Sequence, residues 1–165
     1  TTVPLGIAVR DLTGDSVPDT LRLTGRGRTI DSLEVTFTIT SSGRTVYEKK
    51  WAITRVVGFD AGRRVLSPAE HRRRLSELGG FFFADVKFMT PEQFVTRLHG
   101  SAPRHVSLIP DVIARDGPAS SAPQLWDEMR TSGITVFEFS TGGDAVTTIG
   151  WSRTDQRFYR LLECC

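Results

Sequence analysis

The stretch SLEVTFTITSSGRTVYEKKWAI, residues 32–53, decides the fold. Leu33, Val35, Phe37 and Ile39 occupy alternate positions, with Glu34, Thr36, Thr38 and Thr40 between them. Successive side chains of a β-strand point to opposite faces, so this period of two predicts a half-buried strand. The turn SSGR at 41–44 leads into TVYEKKWAI, where Tyr47, Trp51 and Ile53 share a face. A parallel crossover needs a dozen or more residues, and this connection is far shorter, so the two strands are antiparallel.

Working outward, LGIAVR (5–10) and DTLRL (19–23) flank a polar loop, and residues 5–55 read as an antiparallel meander. A second meander lies near the C-terminus: ITVFEFS (134–140), the turn TGGD (141–144), AVTTIGWS (145–152), the turn RTDQ (153–156) and RFYRLLE (157–163). The middle of the chain changes period. In SPAEHRRRLSELGG (67–80), Ser67 reads as N-cap, Pro68 as first helical residue, Glu70 as the other half of a capping box and Gly79 as the stop. TPEQFVTRLHG (90–100) repeats the device with Thr90, Pro91 and Gln93, and ends at Gly100. A weaker third start uses Ser121 and Pro123, with QLWDEMRTSG stopped by Gly133, after a loop DGPASSAP at 116–123. Strands, then helices, then strands predict an α+β fold: a mainly antiparallel sheet from the N- and C-terminal meanders, with two or three short helices in the middle covering one face. Residues 1–165 read as a single domain without internal repeats.

Composition agrees with that. At 165 residues, 39% hydrophobic and 24% charged, the chain suits one globular domain that buries roughly 70% of its unfolded surface. The densest apolar run, GGFFFADVKFM, is interrupted by Asp85 and Lys87 and falls short of the ~20 residues of a membrane-spanning helix. The chain opens at Thr1 with neither an initiator Met nor a basic-then-apolar leader, which reads as a trimmed or mature chain. The net charge is only +2, with 18 Arg against 3 Lys. Arg72, Arg73 and Arg74 would fan over about 200° of a helix, and no aromatic stacking platform accompanies them, so nucleic acid is not the expected partner. Cys164 and Cys165 are adjacent and cannot staple the fold; a reactive tail, a vicinal disulfide and an intermolecular bridge all remain open. His71, His99 and His105 show no zinc spacing.

The polar loop raises the question of chemistry. Gly14-Asp15-Ser16 resembles the nucleophile motifs of GDSL-type esterases and trypsin-like proteases. A serine nucleophile needs a base, a carboxylate to orient it and an oxyanion hole. No histidine follows His105, and Val17-Pro18 stand where the protease motif has Gly-Gly-Pro. No catalytic residue is therefore assigned. The aspartates are more informative. Asp11, Thr13, Asp15 and Asp19 place oxygens at loop positions one, three, five and nine, and the Val17 carbonyl falls at seven. Calcium requires such a ring of oxygens, and three carboxylates within nine residues repel one another without a cation. The pattern resembles the DxDGDxxxD calcium loops of FG-GAP and VCBS domains, which implies Asp11, Thr13, Asp15, Val17 and Asp19 as metal ligands. It is not an EF-hand, because Arg22 holds the twelfth position. Position six is Ser16 rather than glycine, which demands a left-handed serine. The other reading is a polar hairpin loop in which Asp11 and Asp15 accept backbone hydrogen bonds and Pro18 stiffens the exit.

A broader similarity covers residues 12–51 together with IGWSRTDQRFYRLLECC (149–165). These stretches resemble uncharacterised secreted or lipoprotein-type proteins of Gram-negative soil bacteria that pair a TGDGxPD loop with a tryptophan-bearing strand and a Cys-Cys end. The resemblance implies an extracytoplasmic location, periplasmic or secreted, and supplies no catalytic residue. Phe81, Phe82 and Phe83 read as core around a helix end, and Trp51, Trp126 and Trp151 as core residues. TGGD lacks the strand-then-helix setting of a phosphate loop. The expected function is a non-enzymatic binding or structural domain, with calcium as the one cofactor suggested. The alternatives are a hydrolase pairing Glu138 with Asp144 or Asp155, and an inhibitor or immunity-like protein binder.

Overall fold

The computed structural model describes residues 1–28, 32–53, 67–118, 121–142 and 145–164. Four antiparallel strands form the first sheet in sequence order: β1 (Thr2–Arg10), β2 (Asp19–Arg26), β3 (Glu34–Ser41) and β4 (Arg44–Ala52). The predicted alternation is realised: Leu33, Val35, Phe37 and Ile39 are buried, as are Leu21 and Leu23 on β2. Leu23 pairs with Phe37 and Leu21 with Ile39, so the apolar residues form one continuous inner face. Residues 54 and 55 of the expected meander lie outside the described residues.

The second meander forms its own sheet, ordered β5 (Phe88–Met89), β6 (Val136–Gly142), β7 (Ala145–Ser152) and β8 (Arg157–Cys164), again antiparallel. Two sheets therefore replace the one sheet expected from the strand pattern. They pack face to face through aromatic rings: Phe37 lies 5.5 Å from Phe137 and 5.2 Å from Phe139, and Tyr47 lies 5.8 Å from Phe158. Helices α2 (Pro91–Ser101), α4 (Ile109–Ala114) and α5 (Ala122–Thr131) bring buried residues to the other side of the second sheet. The result is three layers, sheet on sheet on helices. Residues 147–152 of β7 are all buried, because that strand is covered on both faces. Gly150 admits the helix layer there, since a Cβ at that position would stand 3.4 Å from Met129 Sδ and 3.0 Å from Leu161 Cδ1.

Both expected capping boxes form. The Glu70 N–H donates to Ser67 Oγ (3.3 Å) and the Ser67 N–H to Glu70 Oε2 (2.9 Å), opening α1 (Pro68–Phe82). Thr90 and Gln93 do the same for α2, at 3.1 and 2.9 Å. Ser121 is different: its hydroxyl donates to the Pro118 carbonyl and leaves the start of α5 without a side-chain cap. The stop expected at Gly79 is corrected, because α1 continues to Phe82. Gly79 serves close approach instead: a Cβ there would sit 1.8 Å from the Leu5 carbonyl oxygen. The run through Gly79 seats α1 on β1 and carries Phe82 into the core, while Phe81 stays 66% exposed. Helices α3 (Pro103–Val106) and α4, and the two-residue β5, were not legible from periodicity. Each is too short to show a period, and neither helix has a side-chain cap.

The neighbouring glycines make opposite predictions. Gly79→Ala forces Leu5 and the helix apart and should destabilise the fold by about 1–3 kcal/mol, the range for overpacking. At Gly80 a Cβ meets nothing within 4 Å, so Gly80→Ala should stabilise by up to about 1 kcal/mol through helix propensity. Urea denaturation of the two variants checks this; equal midpoints would mean that α1 is not seated on β1.

Candidate functional site

Hairpin connections alternate between the ends of a meander. The β1–β2 loop (11–18) and the β3–β4 turn (42–43) therefore share one end of the first sheet. The start of β6 and the β7–β8 turn (153–156) meet that end from the second sheet. Three contacts join them: the Thr135 N–H donates to the Leu12 carbonyl at 3.3 Å, Arg153 Nη2 donates to the Gly14 carbonyl, and Gly14 packs on Gly133. Gly14 has φ 71°, and a Cβ there would stand 2.9 Å from the Gly133 oxygen. No other residue type meets both demands without strain.

Between these loops lies a cleft of about 470 Å³. Val46 and the buried Trp151 give it an apolar surface, and Thr13, Ser41, Ser42 and Gln156 supply polar groups. Its charged lining residues are Asp15, Arg44 and Arg153. Among the described residues, the non-glycine residues with positive φ are Ser16 (68°), Ser42 (47°) and Gln156 (53°). Two of them line the cleft and the third follows Asp15. Ser42 with Gly43 (φ 78°) has the two left-handed residues of a type I′ hairpin turn. Ser16 adopts the conformation that glycine would occupy in a calcium loop.

The loop's aspartates are engaged by the backbone. Asp11 Oδ1 accepts the Gly14 N–H (2.7 Å) and Oδ2 the Ser16 N–H (2.8 Å). Asp15 Oδ1 accepts the Val17 N–H at 2.8 Å. Asp19 turns inward, fully buried, and its Oδ2 accepts the N–H groups of Leu12 (2.8 Å) and Thr13 (3.2 Å). These are the hydrogen bonds of the hairpin reading. Val17 is exposed, and among the described residues no three acidic, histidine or cysteine side chains converge on a metal position. Two oxygens of the loop are nevertheless buried without a partner, Asp19 Oδ1 and Thr13 Oγ1.

Glu128 on α5 was invisible to sequence reasoning. Its Oε1 accepts the N–H groups of Arg153 (2.6 Å) and Thr154 (3.3 Å), and its Oε2 accepts the Ser152 hydroxyl (3.0 Å), fixing the β7–β8 turn. The residue lies 25 positions away from that turn along the chain, and no local pattern marks it.

The proposed carboxylate pair is not assembled by Glu138 and Asp155. Glu138 sits opposite Thr148 and is held by Arg97 (3.2 Å) and Lys87 (3.7 Å). Asp155 lies in the turn beyond Ser152 and accepts the Tyr159 hydroxyl. Four residue steps along β7 lead from Thr148 to Ser152, which at a strand rise of ~3.3 Å is about 13 Å. Asp144 lies outside the described residues. Ser16 is exposed, and the three histidines are carried by α1, α2 and α3.

The groups whose pKa is displaced are structural ones. Burial would raise the Asp116 carboxyl, but the hydrogen bonds and charge of Arg160 (Nε to Oδ2, 2.9 Å) hold it below its ordinary value. Burial pushes the Tyr47 hydroxyl up to about 12 against the opposing charge of Arg160. Tyr159 is raised by burial and then by its hydrogen bond to Asp155.

Asp19→Ala should destabilise the protein by about 2–4 kcal/mol, because two buried N–H groups lose a charged acceptor. Asp15→Ala, at an exposed position, should cost under about 1 kcal/mol. Asp116 has a depressed folded pKa, so its stabilisation is present above the ordinary carboxyl pKa of about 3.9 and is lost as pH falls further. Asp116→Asn should therefore cost about 1–2 kcal/mol at pH 7, and the gap from wild type should close towards pH 2. Urea unfolding at the two pH values measures it.

No protein-family model, no curated protein and no solved structure matches this chain.

Proposed function

We propose that this chain is an extracytoplasmic, non-enzymatic binding domain whose recognition site is the cleft between the two sheets. The observation that carries this reading is the cleft itself. Its volume of about 470 Å³ lies within the ~300–1,000 Å³ of small-molecule sites, and its walls are loops from both sheets. Those loops are braced by Glu128, by the buried Asp19 and by the Gly14–Gly133 contact, so the site is formed in advance. Among the described residues its lining includes one carboxylate, Asp15, whereas the hydrolase alternative calls for a paired acid and base. The extracytoplasmic part is supported by the resemblance of residues 12–51 and 149–165 to secreted or lipoprotein-type proteins. Cys165 lies outside the described residues. No described helix is long and apolar enough to cross a membrane.

A second reading, a calcium-stabilised β1–β2 loop, is favoured by the unpartnered oxygen of the buried Asp19. Asp19 Oδ1 and Thr13 Oγ1 would face the ion, and Asp11 and Asp15 would share their carboxylates between it and the backbone. What calcium supplies there is charge neutralisation and not chemistry.

Two measurements test these readings. In a fragment screen followed by amide NMR, hits should shift residues 13–15, 42–46 and 151–156; hits scattered elsewhere would overturn the cleft assignment. Thermal melting in EDTA and then in 2 mM calcium addresses the loop. For an affinity of ~10⁻⁴ M the ion adds about 2 kcal/mol, and the gain should vanish in Asp15→Ala. An unchanged melting temperature would leave the loop as a hydrogen-bonded hairpin.

A further inference from the structure

We infer that the cleft receives a small carboxylate-bearing molecule, gripped by the guanidinium groups of Arg44 and Arg153 and by the Thr13 hydroxyl. This rests on the cleft being the binding site and adds the chemistry of its occupant.

The charges come first. Five arginines among the described residues pair with carboxylates: Arg10 with Asp85, Arg73 with Glu77, Arg97 with Glu138, Arg130 with Glu92, and Arg160 with Asp116 and Glu163. Arg44 is exposed and lines the cleft, and its guanidinium has no hydrogen-bond or ion-pair partner among the described residues. Arg153 gives one N–H to the Gly14 carbonyl, which orients the group, and has no carboxylate partner among the described residues. A guanidinium carries five N–H donors in a planar fork that matches an oxyanion. Two such forks thus border one cleft with most of their donors unused.

The hydroxyl is the second, independent observation. Thr13 is 3% exposed and lines the same cleft, yet its Oγ1 has no partner. An unsatisfied buried hydroxyl costs about 1–3 kcal/mol, and an acceptor oxygen entering the cleft would remove that cost. The Thr13 backbone N–H, donating to Asp19 Oδ2, holds the residue in place.

Charge balance narrows the class. Arg44 and Arg153 face Asp15 in the lining, and Asp11, Asp19 and Glu128 accept backbone N–H groups just behind it, so the site suits no more than a monoanion. A dianionic phosphate would bring a second negative charge towards Asp15, and like charges repel. The apolar surface of Val46 and Trp151 and the polar side chains of Ser41, Ser42 and Gln156 suit a body that carries both C–H faces and hydroxyls.

The test uses amide NMR titration of the intact chain with D-glucuronate, with D-glucose as the same ring lacking the carboxylate, and with inorganic phosphate. The inference expects saturable shifts at residues 13–15, 42–46 and 151–156 with glucuronate and none with glucose. Arg44→Gln, at an exposed unpaired position, should weaken glucuronate at least tenfold without changing the melting temperature. Thr13→Val should weaken it several-fold while leaving stability unchanged or higher, because the hydroxyl it deletes is unpartnered; a purely structural Thr13 would show loss of stability instead. Glucose shifting the same amides as strongly would overturn the carboxylate assignment and leave the cleft as a binding site. Phosphate binding there with glucuronate silent would replace carboxylate by phosphate. Silence of all three probes at the cleft would overturn the inference, and fragment hits at the cleft would then show that the broader reading survives it.

Discussion

Phe37 is the residue on which the architecture turns. It is fully buried at the centre of β3, and its ring lies within 5.2–6.1 Å of Tyr47, Phe82, Phe83, Phe137 and Phe139. Those partners come from the first sheet, from the end of α1 and from the second sheet. Hydrogen bonding holds each sheet together internally, whereas contact between the sheets depends on apolar burial. Aromatic pairs add roughly 0.5–1.5 kcal/mol each beyond the area they bury. A cluster of tilted and edge-on rings also tolerates only a narrow set of positions, so it fixes how the sheets lie.

The cleft follows from that packing. Once the inner faces are joined, the β1–β2 loop and the turn after β7 are brought to the same end of the molecule, where they must be spaced and held. Gly14 and Gly133 let their backbones touch. Asp19 collects the Leu12 and Thr13 N–H groups from inside, and Glu128 collects those of Arg153 and Thr154 from the helix layer. Carboxylates accepting backbone N–H groups are among the stronger hydrogen bonds available to a loop. Arg153 thus stands on a turn held from the helix layer, and Thr13 on a loop held from inside.

The β1–β2 loop shows why spacing is an ambiguous guide to chemistry. Oxygens at every second position serve a cation and serve the backbone N–H groups of a tight turn equally well, since both are positively polarised. The hydrogen-bonded hairpin is the arrangement described by the structure, with Ser16 taking the left-handed conformation that the pattern demanded at that position. Which aspartate turns inward was not legible. Asp11, Asp15 and Asp19 are alike in the sequence, and only the packing of Leu12 and Thr13 beneath the loop buries Asp19.

The sequence by itself determined the elements whose cause is local. Alternation set β3, the paired caps set the starts of α1 and α2, and short connections set the antiparallel order of both meanders. These are decided within a few residues by side-chain direction and backbone hydrogen bonding. The tertiary structure alone decided that the meanders form two sheets, that Gly79 marks contact with Leu5 and not the end of α1, and that Thr13, Arg44 and Arg153 meet at one cleft. Those outcomes depend on which apolar face finds which, an interaction between residues up to about 140 positions apart that depends on burial and shape and leaves no period in the chain.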